Sequence, residues 1–252
     1  MPDLGYLALV AAGFGAYWWQ HLRPHRARKP ASDTFTQDAE VALHVANHEA
    51  KSRGHEAVSS VHILYGLVQD EMITAAIRKA GGEVEALEDR VLAALGTAPT
   101  SSDDARQVLM RAVVVAQQAK RRASCTDLWA YLADTEAATL LDACAINRGA
   151  VLFTLFHGTS DDPDQELSIA TGDVFVVLRN DDYTTHEFVH QLLQNVFAVP
   201  ADKAAELTMT THTAGRAVIA RLAAAAARAK IAEARTLARA RGFPLWIDAE
   251  PA

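Results

Sequence analysis

Residues 186–190 read His-Glu-Phe-Val-His, which is the H-E-x-x-H pattern of zinc peptidases. Two histidines four residues apart on one helix face can bind zinc while the glutamate acts as general base. A third ligand is needed, and the candidates are Glu206 and His212. Glu187 also fits a capping box that begins a helix at Thr184, which gives its carboxylate a structural explanation. A zinc metallopeptidase is therefore kept only as an alternative.

A polar loop precedes this motif and must position it. The apolar run Val174–Leu178 has the composition of a buried strand, and Asn180, Asp181 and Asp182 follow it. These three residues fit an ordinary turn, with Asp182 favouring the positive N-terminus of the next helix. After Thr184, apolar residues recur at helical spacing. The motif is therefore predicted on a helix that follows a strand and a turn.

The rest of the C-terminal region predicts a small α+β domain over residues 173–252. The sequence predicts a helix at Ala201–Thr211, a strand at Ala217–Leu222, a helix at Ala223–Arg241 and a strand at Leu245–Ile247. The order strand, two helices, strand, helix, strand is typical of a compact α+β unit.

The preceding region, residues 33–158, predicts a mostly α-helical domain built as a double repeat. Each half has an Ala-rich amphipathic helix and then a short apolar helix, SSVHILYGLV in the first half and CTDLWAYLA in the second. The halves recur with a period of about 65 residues. The acidic segment 159–172, TSDDPDQELSIATG, is predicted to be a linker to the C-terminal domain.

Composition excludes several classes of function. The 252 residues carry a net charge of −7, which argues against nucleic acid as the main partner. The sequence contains neither the phosphate-loop motif G-x-x-x-x-G-K-[ST] nor the dinucleotide-binding motif G-x-G-x-x-G. Its two cysteines do not have the spacing of metal ligands. His44 and His48 lie one helical turn apart, but no cysteine or carboxylate at ligand spacing completes a metal site. We therefore predict no cofactor and no metal.

Residues 4–22 predict a single-pass transmembrane anchor. Leu4–Trp19 is an uninterrupted apolar run that reaches about 24 Å as a helix, against about 30 Å for the hydrocarbon core. Arg23 and Lys29 begin and end the basic segment that follows it. The positive-inside rule then places the bulk of the chain in the cytoplasm. A buried or an interfacial N-terminal helix is the alternative.

The C-terminal domain closely resembles ClpS, the adaptor family that recognises N-degrons, which are proteins marked for destruction by their first residue. The resemblance rests on DVFVVLRNDDYTTHEFVHQLLQNVF, HTAGRAV and FPLWIDAE, and it covers Asp173–Ala252. It implies an adaptor without catalysis. It also implies that the substrate's free α-ammonium group is held by Asn180, Asp181, Asp182 and His212. Six further positions correspond to the pocket for the first side chain: Thr184, His186, Val189, Thr208, Thr211 and Leu245.

The chemistry of the ammonium group agrees with this mapping. An α-amino group has a pKa of about 7.7–8.0 and is largely a cation with three donors at neutral pH. Carboxylate, amide and imidazole acceptors can take these donors in charge-assisted hydrogen bonds. An acetylated N-terminus would leave such acceptors unpaired.

Several positions depart from the ClpS pattern. His186 stands where the family usually has methionine, and Thr208 and Thr211 stand where it has apolar residues. The resulting polar rim predicts a shift of specificity towards Tyr or Trp. Ala225 replaces the glutamate with which ClpS docks on an unfoldase, whereas the docking lysine is kept as Lys230.

The helical repeat resembles the double-repeat N-terminal domain of Clp-type AAA+ unfoldases. SSVHILYGLV is similar to the Thr-x-Glu-His-Leu-Leu-like helix start of that family, and the resemblance covers Phe35–Gly158. We expect no unfoldase activity, since no ATPase module follows. The combined hypothesis is an adaptor that is tethered to the inner membrane of a bacterium by a single-pass anchor and passes N-degron proteins to a ClpA-like unfoldase and its protease. The alternative is an autoinhibited or competitive scaffold in which the two domains bind each other.

Overall fold

The computed structural model describes residues 34–97, 103–158 and 172–252. The chain divides into two compact units between Ile146 and Asn147. The predicted anchor at 4–22 lies outside the described residues, as does the predicted linker except for Gly172. Within the described ranges, no single helix is both long and apolar enough to cross a membrane.

The first unit is helical. Its elements are α1 (Gln37–Ser52), α2 (Ser60–Leu67), α3 (Glu71–Lys79), α4 (Val84–Ala94), α5 (Asp103–Gln118), α6 (Cys125–Ala130), a 3₁₀ turn (Tyr131–Asp134) and α7 (Glu136–Ala143). The short apolar helices α2 and α6 begin with capping boxes at Ser59 and Ser124, which are 65 residues apart. The local structure thus has the predicted period.

Alanines and a glycine let α1 and α2 approach closely. α1 buries an alanine stripe that includes Ala42 and Ala46. Gly66 of α2 lies directly against it, because a Cβ at Gly66 would come 2.1 Å from the Ala42 carbonyl oxygen. The two helices are therefore packed backbone to backbone, which a larger residue at either position would prevent.

The second unit is a three-stranded antiparallel sheet packed against helices. Its elements are α8 (Arg148–His157), β1 (Asp173–Arg179), α9 (His186–Phe197), α10 (Ala201–Ala214), β2 (Arg216–Ala223), α11 (Ala224–Ala240) and β3 (Trp246–Pro251). The strand order is β2-β1-β3, so β1 is central, and Leu178 pairs with Ala217 on one side and Ile247 on the other. The mostly helical N-terminal region and the small α+β C-terminal domain are thus confirmed.

The core of the second unit lies between the sheet and the three long helices. Val176 and Leu178 of β1 are fully buried against Leu193 of α9 and Ile231 of α11. Because alternate residues of a strand point to one face, this core fixes which residues of β1 face the helices. The strand and the helix thereby hold the loop 180–185 between two rigid elements.

The helix α8 belongs to the second compact unit, although the sequence groups it with the helical repeat at 33–158. Counting by the repeat period, α8 corresponds to α4, which lies in the first unit. Its aromatic side chains explain the difference. The ring of Phe153 contacts Trp246 at a tilt of 44° with centroids 5.5 Å apart, and Phe156 meets Tyr183 edge-on at 5.5 Å.

Candidate functional site

The loop after β1 is organised by the carboxylate of Asp181. Its Oδ1 accepts hydrogen bonds from the backbone N–H groups of Tyr183 at 2.8 Å and Thr184 at 2.6 Å. Its Oδ2 accepts from the Thr184 hydroxyl at 2.7 Å. The backbone N–H of Asn180 donates to the carbonyl of Gly215, at the end of α10. The loop is thus closed upon itself and attached to the neighbouring helix.

This geometry corrects the predicted start of the helix. The cap of α9 is Thr185, whose hydroxyl accepts from the backbone N–H of Phe188 at 3.3 Å. The sequence predicted Thr184 as the cap, but its hydroxyl is bound to Asp181. Glu187 is consequently not the capping-box residue, and its carboxylate accepts from Gln191 instead.

Burial and hydrogen bonding act in opposite directions on Asp181. The residue is 7% exposed, and burial raises the pKa of its carboxyl above the ordinary value. The donors from Thr184 and Tyr183, and the nearby His157, lower that pKa. Since both oxygens already accept donors from the loop, the first role of this carboxylate is to shape the loop.

A small cavity opens beside the loop, with an empty volume of about 260 Å³ including the solvent at its mouth. It is lined by Arg179, Asn180, Asp181, Thr184, His186, Val189, Thr208, Thr211, His212 and Leu245. Nine of these ten were expected, from the resemblance to ClpS, to contact a bound residue, and they come from the loop, two helices and the segment before β3. Arg179 was missed, and its only sequence signal is its place before the loop.

Two predicted residues do not line this cavity. Asp182 is half-buried in the same loop, next to the lining residues. Lys230 lies on α11, where its ammonium group donates to the carbonyl of Val196 and stands 5.7 Å from the ring centre of Phe197. Lys230 thus binds the C-terminal end of α9, and its role in docking stays a prediction.

Two histidine rings meet at the rim of the cavity. The rings of His186 and His212 are 4.7 Å apart and nearly perpendicular. Both residues are exposed, and His212 lies in the last turn of α10, which continues three residues beyond its predicted end at Thr211. The first turn of α9 and the last turn of α10 therefore bring imidazoles to the same edge.

The threonines of the cavity wall are less polar than their residue type suggests. The hydroxyl of Thr208 donates to the Ala204 carbonyl, and that of Thr211 donates to the Leu207 carbonyl, both at 2.8 Å. Each hydroxyl proton is thus used within α10. Most of the polarity predicted for the side-chain pocket therefore rests on His186.

The second histidine of the H-E-x-x-H pattern is engaged by other protein groups. His190 Nε2 lies 3.2 Å from the carbonyl of Ala201, and Gln194 lies 2.8 Å from its Nδ1. Glu206, a predicted third ligand, is paired with Lys203 at 2.6 Å. In the part of the chain that the structure describes, no group of three or more histidine, cysteine or acidic side chains is placed to hold a metal ion. The geometry therefore gives the metallopeptidase alternative no support.

Comparisons with known protein families divide the chain in two. The family model "ATP-dependent Clp protease adaptor protein ClpS" matches residues 171–248, and "Clp repeat (R) N-terminal domain" matches residues 34–143. The adapter protein ClpS 1 of Bradyrhizobium diazoefficiens is 38% identical over 76 residues, which are 30% of this chain and 75% of that protein.

Two solved structures match parts of the chain. ClpS2 of Agrobacterium tumefaciens, solved bound to L-phenylalaninamide, is 37% identical over 33% of this chain and 100% of its own, with a TM-score of 0.32. The Hsp104 N-terminal domain from Candida albicans is 18% identical over 48% of this chain and 86% of its own, with a TM-score of 0.42. The chain carries a Clp repeat N-terminal domain together with an adaptor domain, and it belongs to the ClpS family of non-catalytic adaptors of the ATP-dependent Clp protease.

Proposed function

We propose that this adaptor binds the free first residue of an N-degron protein in the cavity beside the loop 180–184 and passes that protein to a Clp-type AAA+ unfoldase. The observation that carries the proposal is the convergence of residues far apart in sequence on one small cavity. No cofactor or metal takes part in the proposal.

The ammonium end of the ligand lies at the polar rim of the cavity. Asn180 and His212 line the rim, and Asp182 adjoins it in the same loop. An amide oxygen, a neutral imidazole nitrogen and a carboxylate offer acceptors for the three N–H donors of the ammonium group. Asp181 holds the loop in shape.

The first side chain of the ligand occupies the inner part of the cavity. Val189 and Leu245 are buried apolar residues of its wall, and the hydroxyls of Thr208 and Thr211 are bound within α10. Such a wall favours large apolar or aromatic side chains. His186 adds a polar edge, which favours Tyr or Trp over Leu. Agrobacterium ClpS2 was solved bound to L-phenylalaninamide, which has both a free amine and an aromatic side chain.

Membrane tethering and unfoldase docking complete the proposal. The apolar run Leu4–Trp19 and the basic residues that follow it support a single-pass anchor at residues 4–22 with both domains on the cytoplasmic side. A Clp AAA+ unfoldase is the proposed partner, because adaptors of this family serve the Clp protease. Fractionation of cells expressing the full chain tests the tether. Recovery of the full chain and of a variant without residues 4–22 in the same soluble fraction would exclude it.

Peptide binding to the full chain tests the pocket. Labelled peptides that begin with Phe, Tyr, Trp or Leu are compared with an Ala-first peptide and with N-acetylated copies, using fluorescence anisotropy. We expect binding of the large first residues, Tyr and Trp before Leu, and its loss on acetylation because the acceptors lose their charged donor.

Two carboxylate variants provide the matched comparison. Asp182→Asn should weaken binding by about tenfold or more, as expected for one charge-assisted hydrogen bond. Glu187→Gln alters an exposed carboxylate of α9 that does not line the cavity, and it should leave affinity unchanged. The proposal would be refuted if free and acetylated peptides bound equally well, or if none of the peptides bound.

A further inference from the structure

The helix α8 lies between the two family matches, since the Clp repeat match ends at residue 143 and the ClpS match begins at residue 171. It nevertheless packs within the same compact unit as the candidate cavity. Gly149 makes this close packing possible, since a Cβ there would come 2.7 Å from the carbonyl oxygen of Arg239 and 2.8 Å from its Cα. The helix is therefore seated directly on the backbone of α11.

One contact of α8 reaches the binding loop. The ring of Phe156 meets the ring of Tyr183 edge-on, with centroids 5.5 Å apart. Tyr183 is 9% exposed, and its backbone N–H donates to Asp181, the residue that closes the loop. Removing the ring of Phe156 would thus remove a packing contact from one side of Tyr183. The turn that presents Asn180 and Asp182 would then be held less firmly.

Other contacts of α8 reach the segment on the opposite wall. His157 Nε2 lies 2.8 Å from the carbonyl oxygen of Pro244, and since a carbonyl only accepts, this nitrogen carries the proton. The ring of Phe153 contacts the ring of Trp246 at a tilt. Pro244 and Trp246 are the two neighbours of Leu245, which lines the cavity. The helix thus holds Leu245 from both sides.

A buried arginine joins these contacts to the same wall. The guanidinium group of Arg239 lies 4.2 Å from the ring centre of Phe153 and donates to the carbonyl oxygens of Phe243 and Leu245. Burial lowers the pKa of His157, whereas the Pro244 carbonyl and Asp181 raise it. The net lowering favours the uncharged form of the His157 ring, which donates to the carbonyl of Pro244.

We infer that α8 is an added part of the adaptor domain and that Phe156 and His157 are positioning residues, which hold the loop 180–184 and Leu245 at the separation the ligand needs. The inference rests on the proposed function for its effect on affinity. It concerns residues that neither family match covers. Neither residue lines the cavity, so each acts through the residue it contacts.

Substitution of Phe156 in the full chain tests the inference. Phe156→Leu keeps an apolar side chain but loses the ring edge, and Phe156→Tyr keeps the ring. The matched control is Phe197→Leu, which changes a buried ring at the far end of α9, roughly 16 Å along the helix axis from His186. L-phenylalaninamide is the ligand, and urea unfolding reports the stability of each variant.

Phe156→Leu should weaken L-phenylalaninamide binding by about fivefold or more, while Phe156→Tyr and Phe197→Leu stay within about twofold. A second readout needs no ligand: amide exchange of Tyr183 and Thr184 should be about tenfold faster in Phe156→Leu and unchanged in Phe197→Leu. If the unmodified chain fails to bind the amide, the proposed function fails, and the exchange rates still decide the inference. Equal exchange in the two leucine variants would overturn it.

Discussion

The role of Asp181 leads to a prediction that separates shaping the loop from binding the ligand. Asp181→Asn keeps Oδ1, which accepts from the backbone N–H groups of Tyr183 and Thr184. It replaces Oδ2 with an NH₂ group, towards which the Thr184 hydroxyl can turn as an acceptor. Asp181→Ala removes every acceptor. The asparagine variant should therefore keep the loop, whereas the alanine variant should lose it.

The structure sets the expected magnitudes. Alanine deprives two backbone N–H groups of their acceptor, and each costs about 1–3 kcal/mol when it is left buried and unpaired. Because Thr184 is half-buried and water can reach it, the lower half of this range applies, about 3 kcal/mol in total. Asparagine removes a charge that burial already disfavours, as the raised pKa of Asp181 indicates. Its cost should therefore stay near 1 kcal/mol or below.

Urea unfolding, followed by the amide NMR signals of residues 172–252, measures the stability of each variant. L-phenylalaninamide binding is measured on the same samples. The asparagine variant should bind within about threefold of the unmodified chain, and the alanine variant much more weakly. If asparagine abolishes binding while stability is unchanged, the carboxylate contacts the ammonium group directly and our assignment is wrong. If the asparagine variant loses as much stability as the alanine variant, the reasoning about the turn fails.

Three further predictions concern other parts of the chain. Gly66→Ala should destabilise the helical unit by about 1–3 kcal/mol, although alanine has the better helix propensity, because the new Cβ meets the backbone of Ala42. Urea unfolding measures this change, and an unchanged stability would contradict the close packing of α1 and α2. Burial lowers the pKa of His62 from 6.5 to about 4. Between these two pH values, His62 takes up a proton mainly in the unfolded state. Stability should therefore fall as the pH drops, by about 3 kcal/mol at pH 4, and His62→Asn should abolish this slope in unfolding experiments. Thr208→Val and Thr211→Val should change peptide affinity by less than about threefold, since each hydroxyl is bound within α10; a larger loss in anisotropy titrations would place these hydroxyls on the ligand.

Most elements of the second unit could be predicted from local sequence. The apolar run Val174–Leu178 lies within β1, and Pro200 separates the two predicted helices α9 and α10. These features depend on neighbouring residues, so periodicity and turn chemistry are sufficient to find them. The residues around the cavity could not be predicted from local sequence. They were expected from the resemblance to ClpS, since spacing alone does not bring Asn180, His212 and Leu245 together.

Local errors arose where a side chain had two possible partners. The sequence assigned Thr184 to the helix cap, but Asp181 binds its hydroxyl and leaves the cap to Thr185. Thr208 and Thr211 were expected to make the pocket polar, but each hydroxyl bonds to its own helix. Both outcomes depend on which partner each hydroxyl reaches in the folded chain.

By itself, the sequence determined the helical double repeat, the α+β order of the C-terminal domain and the polar loop between its first strand and helix. Tertiary structure alone decided that α8 joins the adaptor domain and that two imidazoles share the rim of the cavity. The physical reason is the range of the interactions. Capping and periodicity act between residues a few positions apart, whereas the contact of Phe153 with Trp246 forms only when packing brings distant segments together.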